Sequence, residues 1–130
     1  MGQSFRDLIA WQLAMQLVTD IYRISNSFPR SEIYGLTSQI RRAAVSVASN
    51  IAEGQARHSH REFLHFLSIA RGSIAEVQTQ LLIAQSLAYL DTTQTESLTN
   101  QASDVCRLVN ALYTAIERRT KNEERRTASR

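Results

Sequence analysis

The sequence predicts an all-α protein folded as an antiparallel, up-down-up-down four-helix bundle. Apolar residues recur at spacings of three and four along most of the 130 residues, and no strand-type alternation persists. Only one proline and four glycines interrupt that rhythm. The stretches between periodic segments, about 29–32, 54–58 and 89–92, are short, which forces successive helices to run antiparallel.

The first helix is expected from about Phe5 to Phe28. Trp11, Met15, Val18 and Tyr22 make one stripe, with Ala14, Leu17, Ile21, Ile24 and Phe28 beside it. Pro29 ends it, since proline disfavours helix in the residue before it. The second is expected from about Ile33 to Glu53. Leu36, Ile40, Ala44, Val47 and Ile51 form its core row, and Val45, Ala48 and Ala52 extend the apolar side. Its polar groups form one ridge of Gln39, Arg42, Ser46, Ser49, Asn50 and Glu53. Gly54 is read as a left-handed C-terminal residue.

The third helix opens on a capping box, Ser59-His60-Arg61-Glu62. Phe63, Leu67, Ala70, Ile74, Val77, Leu81, Ala84 and Ala88 then keep an unbroken 4,3 rhythm, enough for a rod of about 45 Å. The fourth is expected to start at a second box, Thr93-Gln94-Thr95-Glu96, and to bury Leu98, Ala102, Val105, Val109, Leu112 and Ile116. After about Lys121 the apolar stripe stops, so residues 1–120 read as one bundle domain and 121–130 as a flexible basic tail.

Composition narrows the function classes. An apolar fraction of 43% is that of an ordinary globular domain, and no stretch could span a bilayer. The first dozen residues lack the apolar run of a signal peptide, and the single Cys106 excludes an internal disulfide framework. A cytoplasmic protein is expected, with no membrane partner. The net charge of +3 comes from the end of the chain: residues 1–117 hold nine arginines against ten acids, a net −1. Basicity is thus a property of the tail, which weakens the step from pI to nucleic acid.

Catalytic chemistry is missing from the sequence. There is no phosphate-binding loop, dinucleotide fingerprint, nucleophile elbow or HExxH helix, and no small-molecule substrate is evident. His58, His60 and His65 lack the spacing for one metal, Cys106 reads as a small buried side chain, and Ser73 has no histidine in helical reach. No enzyme, cofactor or metal is expected. Gly72, inside the strongest heptad run, reads as a point of close helix approach.

Two constellations remain. Arg42, Ser46, Asn50 and Glu53 share one helical face, with Gln39 beside them and Gly72 and Glu76 on helix three. That ridge faces solvent, a second subunit, or a ligand groove. Arg41, Arg42, Arg57, Arg61 and Arg71 gather around the second turn, opposed in that span by Glu53 and Glu62, and make a candidate phosphate-contacting set.

Several long strings carry a family resemblance. Tyr34-Gly35-Leu36-Thr37-Ser38-Gln39-Ile40-Arg41-Arg42-Ala43-Ala44-Val45-Ser46 is followed by Ser49-Asn50-Ile51-Ala52-Glu53-Gly54. Then come Glu62-Phe63-Leu64, Phe66-Leu67-Ser68-Ile69-Ala70-Arg71-Gly72-Ser73, and the run from Thr79 to Ala84. With the opening Phe5-Arg6-Asp7-Leu8-Ile9-Ala10-Trp11-Gln12, they resemble the bacterial four-helix-bundle proteins encoded in intervening sequences of 23S ribosomal RNA genes. The resemblance spans roughly residues 5–117. It implies an up-down bundle, a closed ring of five copies, and a link to ribosomal RNA by genetic location. It is also distantly similar to barrel-shaped accessory proteins of diversity-generating retroelements, which bind nucleic acid and a reverse transcriptase. Ala48 departs from the family, which usually has proline there; alanine lets helix two run straighter.

Together these readings predict a homo-oligomeric, pentameric helical scaffold with RNA as a candidate partner. The alternative is a protein-interaction subunit that binds no nucleic acid.

Overall fold

A computed structural model describes residues 4–129. Met1, Gly2 and Gln3, part of the stretch read for a leader, and Arg130 of the basic tail lie outside the described residues. Four helices follow in order: α1 Ile9–Ser25, α2 Leu36–Gln55, α3 His60–Ser86 and α4 Thr92–Ala128. Short 3₁₀ turns at Phe5–Asp7 and Arg30–Glu32 precede α1 and α2. Each helix packs on its neighbours in sequence and α1 also packs on α4, so the four form a closed square without diagonal packing. The antiparallel four-helix bundle is as expected.

The core follows the heptad rows. Leu17 and Ile21 of α1, Ile40, Val47 and Ile51 of α2, Leu67, Ile74, Val77 and Leu81 of α3, and Val105 and Val109 of α4 are fully buried. Truncating one of the larger ones to alanine removes about 2–5 kcal/mol, transfer and cavity terms together. Met15 and Tyr22, placed in the predicted stripe of α1, are exposed, because, of the other three helices, α1 touches α2 and α4 and its apolar face is wider than both cover.

Element boundaries differ from expectation for local reasons. The first helix starts four residues late, because Leu8 is extended and Phe5 folds back edge-on to Trp11 at 5.2 Å. It stops at Ser25; a turn then delivers buried Phe28 to the Tyr89 ring, 5.6 Å away. Gly54 is no C-terminal cap. It is buried within α2, where an added Cβ would lie 2.8 Å from Phe63 Cδ1 and 3.1 Å from Phe66 Cβ. Gly72 reverses the other expectation: a Cβ there meets nothing within 4 Å, so no helix of this chain approaches it closely.

Caps shift as well. Ser59 Oγ accepts the Glu62 amide at 3.2 Å, but the Glu62 carboxylate takes the Ser59 hydroxyl rather than its amide, so only half of the predicted box forms. The cap of α4 sits two residues upstream of Thr93. Asp91 Oδ1 accepts the Gln94 amide at 2.7 Å and Gln94 Oε1 accepts the Asp91 amide at 3.0 Å. A carboxylate is the stronger cap, and Thr95 is left to be buried. Ala88, expected as the last core position of the third rod, is exposed with φ 63°. The Tyr89 amide reaches Ala84 O at 2.8 Å and the Ala88 amide reaches Gln85 O at 2.9 Å, which makes this a Schellman motif with alanine in glycine's place.

The fourth helix does not stop at Lys121. It runs on to Ala128, with every residue from 121 to 129 exposed, so this stretch adds helix and no core. At 1.5 Å per residue α4 is roughly 55 Å long against roughly 30 Å for α2, and its last turns extend along the α2–α3 loop. Ala48 is buried in an α2 uninterrupted from Leu36 to Gln55.

Candidate functional site

The five arginines singled out in the sequence do not form one patch. Arg41 and Arg57 are separated by most of α2, roughly 20 Å along its axis. Arg41 turns toward the end of α1, where its Nε donates to Ser25 Oγ at 2.8 Å and its Nη2 to Asn26 Oδ1 at 3.0 Å and Tyr22 O at 3.3 Å. Its guanidinium lies 4.8 Å from the Tyr22 ring centre. These bonds satisfy the helix's terminal groups and occupy the charge. Arg71 lies across α4, 4.1 Å from the Tyr113 ring centre, with Asn110 Oδ1 and Ser68 Oγ each at 3.5 Å. Arg57 pairs with Glu53 at 2.6 Å and covers Phe66, and Arg61 pairs with Glu124. Arg42 is exposed and has no partner among the described residues.

The polar ridge of α2 divides in two. Ser46 and Asn50 face α3: Ser46 Oγ lies 2.8 Å from the buried Ser73 Oγ, and Asn50 Nδ2 donates to Ser46 O at 2.8 Å and Ser46 Oγ at 3.0 Å. Gln39, Arg42, Ser49 and Glu53 are exposed. The pairing at Ser73 is not evident from sequence, although Ser73 sits seven residues after Phe66 and seven before Gln80, a flanking heptad row that reaches α2.

The outer face of α3 is poor in charge. Ile69, Gly72, Ala75, Thr79, Leu82, Ile83 and Ser86 are exposed, and Glu76 is the one ionisable group among them from Gly72 to Ser86. Leu82 is 56% exposed and Ile83 43%. Arg42 and Val45 present a similar surface on α2. Glu76, like Arg42, has no partner among the described residues.

A groove of about 730 Å³ opens between the α2–α3 loop and the last turns of α4. Arg57, His58, Ser59, His60 and Arg61 line one side, and Arg119, Glu123 and Glu124 the other. His60 Nδ1 lies 3.1 Å from Glu123 Oε1 but makes no hydrogen bond to it or to any other of the described residues. His65 is exposed and set edge-on to Phe66, away from the groove. Among the described residues no three His, Cys, Asp or Glu side chains converge as a metal site. Cys106 is half-buried, with Asn110 Nδ2 at 3.6 Å from its Sγ.

The model of the 23S rRNA-intervening sequence protein family matches residues 6–111. The chain belongs to this family. A crystal structure of a protein with unknown function from the S23 ribosomal protein family of Bacteroides thetaiotaomicron has the same fold. Its TM-score is 0.76 at 20% identity, over 81% of this chain and 98% of that one. No curated protein matches the sequence. No helix among the described residues is long and apolar enough to cross a membrane. The family match ends before the α4 turns that border the groove, so those turns are features of this chain beyond the 23S rRNA-intervening sequence protein model.

Proposed function

We propose that this 23S rRNA-intervening sequence protein is a non-enzymatic, cytoplasmic, homo-oligomeric scaffold, a pentamer on the family resemblance, that binds structured RNA. The observation that carries the oligomer is the outer face of α3, where Leu82 and Ile83 stand exposed about three turns beyond the open Gly72, with Glu76 as the one charge between them. Patches of this kind mark protein interfaces. Arg42 on the adjoining face of α2 supplies an unpaired opposite charge for a second copy. Light scattering on the eluting protein tests this. Five copies are expected for the native chain, and Leu82→Glu with Ile83→Glu should release monomers of unchanged helicity. A monomeric native protein rejects the scaffold.

The RNA reading has narrower support: Arg42 on the body, and Arg118, Arg119, Lys121, Arg125 and Arg126 along the exposed end of α4. Phosphate neutralisation makes such binding fall steeply with salt. The absorbance ratio of purified protein at 260 and 280 nm, before and after deleting residues 118–130, tests it; RNA that stays bound at high salt, or none bound at low salt, counts against it.

A second reading, an accessory subunit that binds protein and no RNA, has an observation of its own. Four of the five candidate arginines are engaged within the chain, and residues 1–117 carry a net charge of −1.

A further inference from the structure

The groove beside the α2–α3 loop has a chemistry that the oligomer does not explain. Its cations are Arg57, Arg61 and Arg119, joined by His58 and His60. Arg119 is exposed and has no partner among the described residues. The amide end of the 27-residue α3 helix opens onto the same space, with Ser59 capping one amide. Two anionic groups already sit there. Glu123 stands against His60 and Glu124 against Arg61, and both come from the α4 turns beyond the family match.

We propose that this groove binds phosphate groups, and that Glu123 and Glu124 are an intramolecular latch which the phosphate displaces. Three features carry the assignment beyond the Arg61–Glu124 ion pair and the His60–Glu123 contact. Donors converge from two elements distant in sequence, the α2–α3 loop with the start of α3 and the end of α4, around a space far larger than the two carboxylates need. The planar guanidiniums of Arg61 and Arg119 suit paired phosphate oxygens better than single points of charge would. The latch is weak by construction: Glu123, Glu124 and Arg61 are all more than half exposed, so water competes for each pair. A ligand carrying several phosphates gains counterion release that two carboxylates cannot match.

The proposal borrows from the RNA reading only in the choice of a polymeric ligand, and it does not depend on the oligomer. The test uses the full chain with two probes, inorganic pyrophosphate and a fluorescein-labelled single-stranded oligoribonucleotide, at low salt. Both should bind, and the Glu123→Gln, Glu124→Gln double variant should bind more tightly, with up to about fivefold coming from the broken Arg61–Glu124 pair. Arg61→Ala with Arg119→Ala should weaken both ligands. For the oligonucleotide it should also flatten the log–log salt slope by about 0.7 for each phosphate no longer neutralised. All four side chains lie outside the core, so unchanged thermal melts accompany the variants. Pyrophosphate binding without the oligonucleotide assigns the groove to a free phosphate ligand; binding of both assigns it to a nucleic acid backbone. Binding of neither, or affinity that the glutamine pair leaves unchanged, overturns the proposal. Light scattering on the same samples separates its failure from that of the scaffold.

Discussion

Tyr89, in the α3–α4 turn, donates its hydroxyl to Glu32 Oε2 across 2.8 Å, while Glu32 Oε1 accepts the Leu36 amide at 3.3 Å. One carboxylate thus supports the start of α2 and ties the α3–α4 turn to it. The neighbouring carboxylate holds the Tyr89 phenol above its ordinary value of 10.0, chiefly through that hydrogen bond, with burial and the charge of Glu32 adding to it. A raised phenol contributes stability that is complete below the unfolded value and is lost as pH rises through the folded one. Ultraviolet titration should therefore show one of the four tyrosines ionising late. Glu32→Gln should bring that tyrosine back toward the others and remove the matching slope of stability above about pH 10. A titration in which all four ionise together contradicts the link.

Gly54→Ala should destabilise the bundle, by up to about 2 kcal/mol. Alanine gains about 1 kcal/mol of helix propensity over glycine, but its methyl would press on the Phe63 ring and the Phe66 Cβ, and overpacking costs about 1–3 kcal/mol. Phe63 is buried, so its ring must shift toward the groove it helps to line for the methyl to fit. Urea denaturation measures the change; a rise in the midpoint would mean that α2 and α3 pack more loosely than the structure has them.

Ala88→Gly should stabilise the protein by about 0.5–1 kcal/mol. A left-handed residue carrying a Cβ costs about 1–2 kcal/mol, part of which returns as greater freedom of glycine in the unfolded chain. The Schellman bonds use backbone atoms alone and survive the change. The check is the thermal midpoint, which should rise by several degrees.

Gly72→Ala separates the single chain from its assembly. Nothing within 4 Å opposes the methyl, so the helix gains about 1 kcal/mol. If a second copy packs on this face, the same methyl intrudes on it, and light scattering should show weaker association despite the more stable helix. A stabilised protein whose oligomer is untouched would remove α3 from the interface.

The residues of the candidate sites are harder to read from sequence than the fold. The rows of Leu67, Ile74 and Leu81 repeat at a fixed period, and burial follows period, so bundle and core are visible in one dimension. Charge has no such period. Arg41 and Arg42 are adjacent in sequence yet point to different surroundings, one to the end of α1 and one to solvent, because consecutive helical residues are turned by about 100°. The groove is invisible for a related reason: Arg61 and Glu124 are 63 positions apart and meet only because α3 and α4 run antiparallel.

The sequence by itself determined the helical class, the order of the four rods and which rows of side chains form the core, since hydrophobic period and short loops depend on local spacing alone. Only the tertiary structure decided that Gly54 is tightly packed and Gly72 open surface, which arginines are spent inside the chain, and where Glu123 and Glu124 lie. Those outcomes depend on what the neighbouring helix places opposite each residue, and that is set by packing across the bundle rather than by position along the chain.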